Sequence, residues 1–96
     1  MPGKMPGRDE YLIPKIAEHD YDAFRRLIDR DLPNTYKEWL TLMEQARLEN
    51  ERRQIIVRTI EINFHEFARY CWAKRYAYNI KALENFTLEK AVGNRY

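Results

Sequence analysis

The sequence predicts a mainly α, α-rich α+β fold: a helical pair, one short strand and two further helices in a single small domain. Three observations carry this. Apolar residues recur at helical spacing in four separate stretches. Thr35 and Glu38 form a capping box, and no Gly or Pro interrupts residues 34–92. Residues 55–62 are a run in which six of eight residues are β-branched.

Taken in order, residues 1–10 read as a flexible tail, because Met-Pro-Gly-basic is repeated in residues 1–8 and defeats helix and strand alike. Residues 11–96 read as the domain. Tyr11-Leu12-Ile13-Pro14 is a short apolar patch, stopped by proline, that is expected to pack irregularly on the body. The first helix is expected over residues 21–30, with Asp20 as N-cap and Tyr21, Phe24, Leu27 and Ile28 as its inner stripe. Leu32-Pro33 ends it. The second helix starts at the Thr35 box and buries Tyr36, Trp39, Leu40 and Met43. From Arg47 to Gln54 the pattern turns polar, as an exposed helix end or a hinge.

Residues 55–62 read as a strand, since stiff branched side chains suit a pleated surface. A helical stripe through Ile56, Ile60, Phe64 and Phe67 is the competing reading. Asn63 with Glu66 then makes a cap-like pair for a third helix, from about Phe64 to Arg75, with Phe64, Phe67, Ala68 and Cys71 inward. Residues 76–79 read as a turn. Asn79 caps a fourth helix over residues 80–92, with Ile80, Leu83, Phe86 or Thr87, and Ala91 inward and Gly93 as its stop. A lone strand leaves backbone donors and acceptors unpaired. The expected remedy is the same strand of a second copy, giving a homodimer; a short strand within residues 9–16 is the intramolecular alternative.

Composition narrows the function classes. Hydrophobic residues make up 45% of the 96 and aromatics 14%, enough for a packed core and too many for a disordered chain. One cysteine excludes an internal disulfide. No apolar run approaches the roughly 20 residues of a membrane helix, and residues 1–8 lack the apolar core of a secretory signal, so a cytoplasmic protein without membrane association is expected. The net charge of +2 hides a split: residues 9–51 carry eleven acids and six bases, residues 52–96 nine bases and four acids. Such halves attract each other within a fold or between copies, or leave the basic half to face a polyanion.

Catalytic constellations are missing from the sequence. His65-Glu66 lacks the second histidine of a zinc-protease motif, since Arg69 stands where it belongs. Cys71 lies on an apolar stripe, where a thiol is inert. Asp20, Asp22, Asp29 and Asp31 lack calcium-loop spacing, and glycine occurs only at positions 3, 7 and 93, so there is no phosphate loop. The expectation is a non-enzymatic interaction or regulatory module with no cofactor, no metal and no small-molecule substrate, acting on itself or on another protein. Arg69, Trp72 and Tyr76 share one edge of the third helix and are the candidate partner-binding residues, since Trp, Tyr and Arg anchor protein interfaces. With Lys74, Arg75 and Lys81 beside them, the same groups suit stacking on bases and contact with phosphate.

Arg52-Arg53, the strand 55–62, Asn63 to Glu66 at the strand-to-helix corner, and Leu83 with Ala91 in the last helix give residues 52–92 the order basic lead-in, strand, helix, turn, helix. That order resembles the ribbon-helix-helix regulators, including those of antitoxin type. The resemblance implies paired strands in a DNA major groove, with Arg52, Arg53 and Arg58, joined by Lys74 and Arg75, on nucleic acid. The sequence departs from the pattern in its apolar outer strand face, in a helix-to-helix turn without glycine, and in the acidic helical pair that precedes the ribbon.

Overall fold

The computed structural model describes residues 10–28 and 31–93. Their order is β1 (Glu10–Ile16), α1 (Glu18–Ile28), α2 (Tyr36–Arg52), β2 (Ile56–Ile62), α3 (Phe64–Lys74) and α4 (Ile80–Val92). The result is a small, mostly helical α+β domain with four helices and two strands. The expected tail lies outside the described residues except for Glu10, which opens β1.

The expectation of a single strand is corrected. Residues 55–62 hold a strand, and its partner is the intramolecular alternative, a short strand within residues 9–16, in the segment first read as packing irregularly; the two run parallel. Pro14 did not prevent this, because a proline is tolerated in an edge strand, where a missing donor breaks no central ladder. Leu12, Ile13 and Ile16 supply the branched or apolar positions. Ile13 and Ile16 are both buried although they point to opposite faces of the strand, so β1 is covered on both sides. Arg58 reaches Glu10 across the pair at 3.3 Å.

The first helix begins earlier than expected. Asp20 lies inside α1, and its carboxylate accepts from the backbone N–H of Phe64, the first residue of α3, at 3.3 Å. Asp31 does the same for α4, accepting from Ile80 N–H at 3.1 Å. Each of those helices thus has two side-chain caps. Asn63 takes Glu66 N–H and Asn79 takes Ala82 N–H from next door in sequence, while the aspartates arrive from the other half of the chain. Residues 29–30 of the expected first helix lie outside the described residues.

The Thr35 box forms in both directions. α2 continues to Arg52, so the polar stretch is an exposed helix end, braced by Arg47 between Glu44 and Glu51. That grip holds the Glu44 carboxyl below its ordinary range. Among the expected inward residues of α2, Leu40 is 48% exposed; the buried stripe runs instead through Trp39, with Tyr36 and Met43 half-buried beside it. α2 and α3 both end without glycine, in turns whose left-handed residue is Gln54 (φ 64°) or Arg75 (φ 61°). In each, the next amide closes back onto the helix: Ile55 N–H to Asn50 O, and Tyr76 N–H to Cys71 O.

The core is a train of rings. Phe24 of α1 meets Phe64 and Phe67 of α3 at 5.4 and 5.5 Å between centroids, and Phe67 and Tyr70 meet Phe86 of α4 at 5.9 and 4.9 Å. Tyr21 packs edge-on against Tyr36, and their hydroxyls donate to Pro33 O and Ile16 O. Among the described residues no buried side-chain polar atom lacks a partner.

Chain order repeats one arrangement. Strand, helix, helix is followed by strand, helix, helix. β1 pairs with β2 at one constant offset, Glu10 opposite Ile56 and Ile16 opposite Ile62. The same offset separates Glu18 from Phe64 and Ile28 from Lys74, the bounds of α1 and α3. At that offset Ile16-x-x-His19-Asp20-Tyr21-x-x-Phe24 is echoed by Ile62-x-x-His65-Glu66-Phe67-x-x-Tyr70. The domain can be described as two β–α–α units in which each strand feeds an 11-residue helix, while the helices that follow differ, 17 residues in α2 and 13 in α4.

Candidate interaction surface

The C-terminal end of α3 carries the site. Its inner stripe (Phe67, Tyr70 and Cys71) is buried, which forces the intervening positions outward. Trp72 is 79% exposed, the most exposed large apolar side chain among the described residues. The left-handed Arg75 then folds the chain back so that Tyr76 (41% exposed) and Tyr78 (37%) flank it. These three aromatic side chains and Arg75 border a shallow depression of about 630 Å³. A non-glycine residue in the left-handed region costs roughly 1 kcal/mol, here at a helix end of the same kind as the one at Gln54. Cys71 floors the depression but is fully buried, and burial pushes its thiol up from the ordinary value.

The expected trio is split. Trp72 and Tyr76 come together; Arg69 lies on the other side of Ala73, at the rim of a narrower cleft between α3 and α4. That cleft, about 280 Å³, is lined by Tyr70 and Phe86 and by Glu66, Arg69, Lys74 and Lys90. The Lys74 and Lys90 ammonium groups each stand 5.9 Å from the centre of a ring, Tyr70 and Phe86 respectively. Lys90 also pairs with Glu66 at 2.8 Å, and the Tyr70 hydroxyl donates to Glu89. Tyr76 packs edge-on against Tyr70, so the two surfaces share an aromatic wall.

The residues expected on nucleic acid fall on separate elements. Arg52 ends α2 and pairs with Glu49, Arg53 caps that helix, and Arg58 lies mid-β2 against Glu10. Lys74 and Arg75 close α3. The order strand, helix, helix is present in β2, α3 and α4, but one edge of β2 is occupied by β1 of the same chain. The premise of an unpartnered strand, from which a strand-paired homodimer was expected, therefore falls.

Sequence reasoning missed Tyr78, read only as part of a turn, and missed the cleft, because Tyr70 was not placed on the inner stripe. The signal for Tyr70 was its spacing from Phe67, which puts it on the same buried face. Among the described residues no group of His, Cys, Asp and Glu is arranged to hold a metal, and no helix is long and apolar enough to cross a membrane. No family model, curated protein or solved structure matches the chain.

Proposed function

We propose that the chain is a non-enzymatic protein-interaction module that holds its partner, a second copy or another protein, on the surface formed by Trp72, Arg75, Tyr76 and Tyr78. The observation that carries this is Trp72. An indole 79% exposed beside two half-exposed tyrosines is a large apolar area left in water. Burying such rings in a partner's pocket supplies the dominant energy of many interfaces, and an adjacent arginine adds orientation.

The test separates function from folding. Trp72→Ser changes a highly exposed side chain and is expected to leave the urea midpoint unchanged while abolishing affinity capture of the partner. Where the partner is a second copy, light scattering is expected to show a concentration-dependent dimer that Trp72→Ser converts to monomer. A chain that stays monomeric and retains the same proteins with and without Trp72 defeats the proposal. Salt-sensitive duplex binding that is lost when Arg52, Arg53 and Arg58 are neutralised would put the DNA-regulator reading in its place.

A further inference from the structure

We propose that the partner of the Trp72 patch is a second copy of this chain, and that each copy seats its Trp72 on the other's shallow hollow at the start of α2. The inference rests on the reading of that patch as a docking surface and commits it to one occupant. The hollow, about 650 Å³, is bordered by Leu32 and Pro33 from the segment that leads into α2 and by Leu42 from the helix itself. Leu32 is buried, and Leu42 is 47% exposed. A proline ring beside leucine is an apolar bed for an indole, and the contact removes both from water. The rim is polar. The Thr41 hydroxyl donates to Lys37 O at 3.1 Å, so its lone pairs are left to accept the indole N–H.

Two observations point to a copy of the chain as the occupant. The first is charge. Residues 67–83, which carry the patch, hold four cations (Arg69, Lys74, Arg75 and Lys81) and no acid. Residues 31–45, which carry the hollow, hold three acids (Asp31, Glu38 and Glu44) and one base, Lys37. Surfaces of opposite sign attract and surfaces of like sign repel, so patch meets hollow and not patch. The second is placement. The Asp31 carboxylate, next to Leu32, accepts from the N–H of Ile80, two residues beyond Tyr78, so the two surfaces adjoin. Adjoining surfaces let a single two-fold axis make both contacts at once, each copy giving its Trp72 and receiving the other's.

Sedimentation of the full chain over a range of concentrations tests this. The chain is expected to dimerise. Trp72→Ser and Leu42→Lys, at exposed positions, should each remove both contacts of their own homodimer. Loss of one hot-spot anchor weakens association roughly 30-fold, so each variant alone should dimerise roughly 1,000-fold more weakly. An equimolar mixture of the two should regain roughly 30-fold, because Trp72 of the Leu42→Lys copy still meets an intact hollow on the Trp72→Ser copy. Unchanged circular dichroism shows that both variants fold. A chain that is monomeric at every concentration, or a mixture no tighter than its components, would overturn the proposal. Capture of a different protein that Trp72→Ser abolishes and Leu42→Lys leaves intact would overturn the second copy as occupant while the Trp72 surface stands. Dimerisation and capture both indifferent to Trp72→Ser would overturn the surface as well.

Discussion

Asp20→Ala tests whether the two β–α–α units are locked by helix caps exchanged between them. The Asp20 carboxylate accepts from Phe64 N–H, one of the four α3 amides that have no partner within the helix. Asn63 already takes the Glu66 amide, so the two caps serve different donors and their losses should add. Removing a side-chain cap costs about 1 kcal/mol. Removing a negative charge from a helix N-terminus costs a further 0.3–1 kcal/mol or so, and a side chain only 20% exposed is screened little by solvent. The expected loss for Asp20→Ala is therefore about 1.5 kcal/mol. Asp20→Asn keeps an acceptor and loses only the charge, for about 0.5 kcal/mol. Asp31→Ala removes the equivalent bond to Ile80, which is exposed, and is expected to cost less than Asp20→Ala. Urea unfolding measures these differences, read at constant m-value. Amide exchange provides a site-specific check. Asp20→Ala should strip protection from Phe64 N–H and leave Ile80 N–H protected, and Asp31→Ala should do the reverse. An Asp20→Ala protein within about 0.5 kcal/mol of the original, the range of neutral surface changes, would refute the reasoning. So would unchanged exchange at Phe64.

Three further outcomes are expected. Burial raises the Tyr21 hydroxyl above its ordinary pKa, against the pull of Arg25 and with help from Glu38 and Asp22. The unfolded chain therefore releases this proton first, so the Tyr21 contribution is intact below about pH 10 and is lost as pH rises through the folded value. Tyr21→Phe should cost about 1 kcal/mol at neutral pH, for the bond to Pro33 O, and should show a shallower alkaline decline in urea midpoints from about pH 8 to about pH 11. Gln54→Gly and Arg75→Gly relieve left-handed strain, partly offset by the freer unfolded chain, and should each raise stability by about 0.5 kcal/mol. Arg75→Gly should at the same time weaken partner capture, a combination that a purely structural Arg75 would not produce. Cys71 should react with a thiol reagent only as fast as the core opens, because the buried thiol is held in its neutral form; rapid stoichiometric labelling of the native protein would contradict its placement.

Helix boundaries set by local chemistry were legible in the chain. The Thr35 box, the Asn63 and Asn79 caps and the Gly93 stop need only residues within a turn of one another. What depended on distant partners was not. β1 was obscured because Pro14 argues against a strand when read alone, and only the parallel pairing with β2 makes an edge position for it. Asp20 was read as a cap for the helix nearest in sequence, and it is a cap for a helix 44 residues away. The aromatic-basic edge was visible as Arg69, Trp72 and Tyr76, but spacing along one helix could not show that the packing of α4 divides it at Ala73.

The repeated strand, helix, helix order lets α1 be compared with α3 position by position. Two buried ring positions are kept by type and not by identity: Tyr21 answers to Phe67, and Phe24 to Tyr70. A core accepts such exchanges when volume and patterning are preserved. The units also differ in chemistry, on the strands, where Leu12 and Ile13 stand opposite Arg58 and Thr59, and on α3. Ala23, Leu27 and Ile28 give way to Arg69, Ala73 and Lys74, and Arg26 to Trp72. Stability alone gives no reason to replace a buried isoleucine with a lysine or to expose an indole. The differences on α3 lie on its exposed side, next to the Trp72 patch.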